Sequence, residues 1–261
     1  MALVQVANGP LNVRMWGSGE PLLLVHGLGA SSDLWAAQVR PFAQHYEVVA
    51  IDVRGFGRSV ATQLDFTLDN LVEDVVDLCA VLKFDRVHFL GSSMGGFIGQ
   101  KLALSAPGLC QSLILCHTGS QNGIPREIID SRLEAIRGMP MDDFAALVSK
   151  QALAEPADPF TLEWLREMIA KNDPDLYAHY LGTVLSDFDV TDRVGEIRAP
   201  TLIISGSEDR VIPPRFGVTL HELMPGSRHH LMSGVGHLGY AEKPDEFNSL
   251  VLEFLDQLTS C

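Results

Sequence analysis

Val87-His88-Phe89-Leu90-Gly91-Ser92-Ser93-Met94-Gly95-Gly96-Phe97-Ile98-Gly99-Gln100 is the stretch that decides how this chain is read. Its centre fits the pattern G-x-S-x-G, with Ser93 in the middle. An apolar, strand-like run leads in, and the helix-like run from Phe97 to Leu104 leads out. A serine at such a strand-to-helix turn is held in strained backbone geometry with its hydroxyl exposed. Gly91 and Gly95 leave room for the turn, and Gly96 and Gly99 let the helix lie close to a sheet. The helix N-terminus then aims its free N–H groups at the space beside the serine. A plain glycine-rich turn with a surface serine would need neither flank.

Outward from this point the chain alternates. Leu22-Leu23-Leu24-Val25, Val48-Val49-Ala50-Ile51 and Leu113-Ile114-Leu115-Cys116 are continuous apolar runs, the signature of strands buried on both faces of a parallel sheet. Between them, Leu34, Trp35 and Val39 mark one helix, capped by Ser31 or Ser32 and bent or ended by Pro41. Leu68, Leu71, Val72, Val75, Val76, Leu78, Cys79 and Leu82 mark another, with Thr67 as N-cap. Strand–helix alternation over residues 22 to 116 predicts an α/β fold with a mostly parallel central sheet and helices on both faces. Leu3–Val6 and Leu11–Met15 precede it as a hairpin turning at Asn8-Gly9.

The alternation breaks between about Ser120 and Val190, where Pro125, Pro140, Pro156, Pro159 and Pro174 separate four helical stretches. These are Ile128–Ile136, Asp142–Leu153, Leu162–Lys171 and Leu176–Val184. They predict a small helical cap, residues 120–190, inserted into a core domain of residues 1–119 and 191–261. After Pro200 come a strand at Thr201–Ser205, a second at His229–Met232 and a closing helix at Glu246–Leu258. Ligands of such sheets gather at the carboxyl ends of the strands, where His26, Asp52, Ser93 and His117 all fall.

The 261 residues carry a net charge of −14. That charge repels phosphate backbones and anionic membranes, so neither nucleic acid nor membrane is expected as a partner. Met1-Ala2-Leu3-Val4-Gln5 has no basic start and no long apolar run, so no signal peptide is expected. Cys79, Cys110, Cys116 and Cys261 form no C-x-x-C pair and read as reduced thiols. The expected setting is cytoplasmic, as a monomer or homodimer.

A serine hydroxyl is a poor nucleophile until a base takes its proton. His237, flanked by glycines in Gly234-Val235-Gly236-His237-Leu238-Gly239, lies between the last strand and the last helix, where its ring can stand clear of the core. The histidine needs a carboxylate on its other nitrogen, between serine and histidine in chain order. Asp209, in the charged loop after the strand ending at Ser205, is the choice; Glu208 follows, then Asp187 and Asp189. The oxyanion formed on attack needs two donors. They are assigned to the backbone N–H groups of Met94 and of Leu28, in His26-Gly27-Leu28-Gly29. His26 reads as a brace for that loop, and His117 as a histidine of the pocket wall. Trp164, Met168, Tyr177, His117 and Leu238 are the candidate substrate contacts. No metal-ligand spacing appears, so no metal is expected.

These motifs carry a resemblance. His26-Gly27-Leu28-Gly29, Asp52-x-Arg54-Gly55-x-Gly57-x-Ser59, Gly91-x-Ser93-x-Gly95-Gly96, Gly206-x-x-Asp209 and Gly236-His237 with Glu242-x-Pro244 stand in the order of the α/β-hydrolase superfamily. The elbow through Gln100, with Leu113-Ile114-Leu115-Cys116-His117-Thr118, resembles the 3-oxoadipate enol-lactonases and their esterase relatives. The resemblance implies an α/β-hydrolase fold and a cofactor-free serine hydrolase with Ser93, Asp209 and His237 as triad. Its substrate would be a small-molecule carboxylic ester or lactone. Haloalkane dehalogenases and epoxide hydrolases of this fold carry aspartate in place of Ser93, which disfavours both. Hydrolases of meta-cleavage products, which split carbon–carbon bonds, carry Asn before the serine and Trp after the histidine. Here those positions are Ser92 and Leu238, and Arg166 is the nearest match to their extra arginine. Carbon–carbon hydrolysis of vinylogous diketones stands as the alternative, beside a small-molecule sensor of the same fold that signals to a partner.

Overall fold

The computed structural model describes residues 2–61 and 63–259. Eight strands form one sheet: β1 (Ala2–Val6), β2 (Gly9–Trp16), β3 (Pro21–Val25), β4 (Glu47–Ile51), β5 (Val87–Ser92), β6 (Cys110–Cys116), β7 (Thr201–Gly206) and β8 (Arg228–Met232). Their order is β1-β2-β4-β3-β5-β6-β7-β8. The β1–β2 and β2–β4 pairs are antiparallel and all others parallel. This is the α/β-hydrolase fold that the motif order implies. The opening hairpin turns one residue earlier than Asn8-Gly9 suggests. Val6 pairs with Gly9, so Ala7-Asn8 make the loop, and Gly9 spends its positive φ of +125° on starting β2.

Alternate strand residues feed opposite faces, as the period of two requires. Leu23, Val25, Val49 and Phe89 pack with α2 (Leu68–Leu82) and α3 (Met94–Ser105) on one side. Leu22, Leu24, Val48, Ala50 and Leu90 pack on the other with α1 (Ala36–Phe42) and the last helix. All nine are buried, which is why these strands read as unbroken apolar runs. Thr67 caps α2 with a reciprocal bond, its N–H donating to Asn70 Oδ1 at 2.9 Å. Pro41 does not end α1 but lies inside it, in a helix only seven residues long.

Between β6 and β7 lie α4 (Arg126–Gly138), α5 (Met141–Ala152), α6 (Pro159–Ala170) and α7 (Pro174–His179), the last widening into a π turn over Tyr180–Val184. Each falls on one of the four stretches read from the proline spacing. The neck of this insertion is closed by a bridge between Gln121 and Asp189, and by the Val190 N–H on Ser120 O at 2.8 Å. After β7 come α8 (Arg215–Leu223), α9 (Gly239–Glu242) and α10 (Pro244–Thr259). No helix among the described residues is long and apolar enough to cross a membrane. Cys79, Cys110 and Cys116 are buried and unpaired, and burial pushes the first two thiols up to about 12. Cys261 lies outside the described residues.

Candidate active site

Ser93 sits between β5 and α3 at φ +53°, ψ −113°. A non-glycine residue holds such a conformation only where its surroundings over-determine it. Here they do. The Ser93 N–H donates to Cys116 O at 2.9 Å, and its carbonyl accepts from Thr118 Oγ1 at 3.1 Å. The flanking glycines are a matter of space. A Cβ on Gly91 would stand 2.3 Å from Gly95 O, and one on Gly95 2.2 Å from Val25 O. The turn therefore presses β5 and the start of α3 against the end of β3, and side chains are excluded at both points.

The loop after β3 lies alongside. A Cβ on Gly27 would be 3.2 Å from Ser93 Cβ and 3.9 Å from its Oγ. His26 holds this loop in place, as its position suggested. Its Nδ1 donates to Gly27 O at 2.7 Å, and its Nε2 accepts the Val53 N–H at 2.9 Å. Burial lowers its pKa, which suits a ring that accepts through one nitrogen. Asp52 is buried beside it and accepts from Ser32 N, Asn12 Nδ2 and Arg58 N at 2.6, 2.8 and 2.9 Å. The Leu28 N–H donates no hydrogen bond among the described residues. That of Met94, first in α3, is one of the donors every helix start leaves over.

Asp209 and His237 meet across the ends of β7 and β8. His237 Nδ1 lies 2.7 Å from Asp209 Oδ2. The other carboxylate oxygen accepts the Val211 and Ile212 N–H groups, each at 2.8 Å. Burial by itself would raise the Asp209 pKa; the neighbouring imidazoles His237 and His117 outweigh it and hold the carboxyl below the usual range. Glu208, Asp187 and Asp189 are exposed, and none of them makes a bond to His237 among the described residues.

Ser93 and His237 line one cavity of about 90 Å³ with Gly27 and Leu28. Its far wall comes from the inserted helices: Val148, Ala152, Leu165, Ile169, Tyr177 and Leu181. Of the five residues read as substrate contacts, Tyr177 and Leu238 line this cavity. Trp164, Met168 and His117 do not. Trp164 and Met168 line an outer groove with Asn172 and Lys171, because α6 turns Leu165 and Ile169 inward, one residue further round. His117 is fully buried behind Asp209, its Nδ1 3.4 Å from Asp209 Oδ2. Arg166 is also outside the cavity, paired with Glu163 and Asp142. The arginine on the cavity wall is Arg132, bonded to Gln151 Oε1 at 3.0 Å. The i, i+4 pair Leu165/Ile169 was a signal for the inner face, equal in the sequence to Trp164/Met168.

The ligand atoms of His117, Asp209 and His237 all lie within 4.8 Å of one another, close enough for a metal ion. Hydrogen bonding argues for another use. His117 Nε2 accepts the Gly239 N–H at 3.1 Å, so its proton is on Nδ1. His237 Nδ1 faces an ionised carboxylate and carries a proton as well. Two N–H groups therefore face one carboxylate, His237 Nδ1 within hydrogen-bond distance at 2.7 Å and His117 Nδ1 further off at 3.4 Å, and neither Nδ1 keeps a free lone pair for a cation.

A family described as alpha/beta hydrolase fold matches residues 20–244. A hydrolase from Pseudomonas aeruginosa PA01 superposes with a TM-score of 0.90 at 30% identity, over 97% of each chain. The enol-lactonase from Burkholderia xenovorans LB400 gives 0.91 at 28% identity, over 98% of this chain and 100% of its own. RutD of Rhizobium rhizogenes, named for an inferred carbamate hydrolase activity, is 30% identical over 90% of this chain and 92% of its own length.

Proposed function

The chain belongs to the alpha/beta hydrolase fold family, and from that premise we propose that it is a serine hydrolase of carboxylic esters or lactones. Its catalytic residues are Ser93, His237 and Asp209, acting without a cofactor. The observation that carries this reading is the buried His237–Asp209 pair at 2.7 Å, on the same cavity as a serine held at φ +53°. Ser93 Oγ attacks the carbonyl carbon while His237 Nε2 takes its proton. The oxyanion is received by the N–H groups of Leu28 and Met94. His237 returns the proton to the leaving oxygen, and an acyl-serine remains. Water then attacks that ester, giving its proton to His237, which passes it back to Ser93 Oγ as the acid departs. From a lactone the product is one hydroxy acid.

The cavity bounds the substrate. At about 90 Å³ it is well below the several hundred Å³ common for drug-sized ligands, so a short acyl group or small ring fits best. Its walls are mostly apolar, which suits uncharged carbonyl compounds. The test is a panel of aryl esters, lactones, an aryl carbamate and a vinylogous diketone, assayed with wild type and Ser93→Ala. A fluorophosphonate should label Ser93 alone. Ser93→Ala should lose about a million-fold in kcat, the scale of the serine knockout in subtilisin. Retained turnover in that variant, or labelling of Ser92, would remove Ser93 from the mechanism.

A further inference from the structure

His117 follows β6 at φ +50°, in the left-handed region that is uncommon outside glycine. It is fully buried, and its own N–H extends the ladder to Ile204 O at 2.8 Å. The Gly239 N–H donates to its Nε2 at 3.1 Å. A backbone N–H only donates, so Nε2 is bare and the neutral ring carries its proton on Nδ1. That proton has no partner at ordinary hydrogen-bond geometry. It faces Asp209 Oδ2 at 3.4 Å, the oxygen that already accepts from His237 Nδ1 at 2.7 Å. One carboxylate oxygen therefore lies between two imidazoles, whose rings are 5.6 Å apart.

We propose that His117 is a positioning residue, a neutral imidazole protonated on Nδ1 that donates toward Asp209 and holds its carboxylate on His237. The proposal rests on reading Asp209 and His237 as members of the triad. The Nδ1–H dipole offsets part of the carboxylate's field at His237. Together with the Val211 and Ile212 N–H groups, it also stops the carboxylate from rotating. The ring has reason to stay neutral. Burial lowers its pKa against the opposite pull of Asp209, and a proton on Nε2 would oppose the Gly239 N–H. The titratable groups packed round it are Asp209, His237, Tyr240, Glu242 and, one residue back, Cys116. Burial holds Tyr240 and Cys116 protonated, and Asp209 is held ionised.

Two variants separate the two ring nitrogens. In His117→Asn the side-chain amide N–H takes the place of Nδ1, and asparagine tolerates the left-handed backbone. In His117→Gln the side-chain oxygen takes the place of Nε2 and serves Gly239, leaving Asp209 without this donor. With an aryl ester, His117→Gln should move the acid limb of kcat/KM up by roughly half a pH unit or more. It should also lower the plateau kcat about tenfold with little change in KM. His117→Asn should keep the wild-type limb. A histidine that only braces Gly239 gives the reverse order, a near-normal His117→Gln and a damaged His117→Asn, and that result overturns the proposal. The ring titration of His237, followed by NMR in a Ser93→Ala background, needs no turnover. If it is the same with His117 and with His117→Gln, the positioning role fails while the hydrolase reading stands. Should His117→Gln not fold, ¹⁵N NMR of the unmutated chain decides: Nδ1 protonated and Nε2 bare across about pH 5 to 9 is the expected result. A proton on Nε2 overturns it.

Discussion

Glu242 Oε2 accepts the backbone N–H of Ala154 at 2.9 Å, and this contact fastens the helical insertion to the loop that carries His237. The other oxygen of Glu242 takes the N–H groups of Gly236 and Leu238 at 2.9 and 3.3 Å. His237 itself donates its N–H to Ala152 O at 2.6 Å, at the end of α5. Arg210, next to Asp209, reaches the same helix end, donating to Lys150 O and Leu153 O at 2.9 and 2.8 Å. Both loops that hold the Asp209–His237 pair therefore grip the end of α5, and the wall of the cavity is tied to that pair.

Removing the Glu242 carboxylate should loosen that junction. Glu242→Ala leaves three N–H groups without their acceptor, at about 1–3 kcal/mol for each one that water cannot reach. Glu242 is only half-buried, so water replaces part of the loss and about 2 kcal/mol in total is expected. Urea unfolding measures it. The kcat for an aryl ester should fall about tenfold or more, because His237 loses its seat. A variant with wild-type kcat and only the stability loss would mean that the junction serves the fold alone.

The glycines of the elbow make a sharper steric prediction. Gly95→Ala would put a methyl group 2.2 Å from the backbone oxygen of Val25, where no side chain can swing aside. A loss above about 4 kcal/mol, or failure to fold, is expected. Gly108→Ala is the control, since nothing lies within 4 Å of its added Cβ. Its effect should stay within about 0.5 kcal/mol. A soluble, active Gly95→Ala enzyme would contradict the packing of β5 and α3 on β3.

The sheet and the elbow were legible because each is written locally. Apolar runs such as Leu22–Val25 are continuous only when both faces are buried, and Gly91, Ser93 and Gly95 mark one turn with one geometry. The contact between His237 and Asp209 at 2.7 Å was legible through chain order, since Asp209 follows a strand that the sequence marks clearly. The cavity wall was not. Trp164/Met168 and Leu165/Ile169 share the same spacing, and only the packing of α6 on the sheet decides which pair faces inward. The place of His117 was hidden for a related reason. Its partners Asp209 and Gly239 are 92 and 122 residues away, and nothing near His117 in the chain points to them.

The inward face of α6 leads to a prediction on specificity. Ile169→Ala enlarges the cavity where Ile169 and Leu165 close it, and should extend the range of acyl chains accepted. Each added methylene is worth on the order of tenfold in kcat/KM in an apolar pocket. Trp164→Ala, on the outer groove, should leave the ranking of substrates unchanged. The check is kcat/KM across a series of aryl esters of increasing acyl length. A changed ranking in Trp164→Ala would place that ring against substrate after all.

Stability should fall as the solution is acidified from neutrality. His26, His88 and His117 are buried, and desolvation lowers the pKa of each below the ordinary 6.5. In the unfolded chain these rings take up protons as pH falls through that value, while the folded rings resist. The unfolded state then binds more protons, so the stability present above about 6.5 is lost below it. Asp209 acts in the same sense but lower down, because its folded pKa lies below the ordinary 3.8. Melting temperatures taken from about pH 7.5 down to 5.5 should decline steadily. A flat profile would mean that these rings charge freely inside the folded protein.

The acid is best tested against its neighbour. Asp209 is buried, with Oδ2 on His237 and Oδ1 on two backbone N–H groups; Glu208 is exposed, its N–H donates to Val235 O at 2.9 Å, and its carboxylate makes no bond among the described residues. Asp209→Asn keeps the shape and the Oδ1 contacts. With that oxygen engaged, its amide turns an opposing N–H toward His237 Nδ1, so it neither selects the tautomer nor steadies the imidazolium. In a serine protease this change costs about ten-thousand-fold in kcat, and a loss of that order is expected here. The fold should survive, since the volume is unchanged and the two backbone donors keep an acceptor. Glu208→Gln should stay near wild type. Each variant is assayed on one aryl ester across about pH 5 to 9. If Glu208→Gln is the crippled one, or if both remain active, the carboxylate at 2.7 Å from His237 is not the one that the reaction uses.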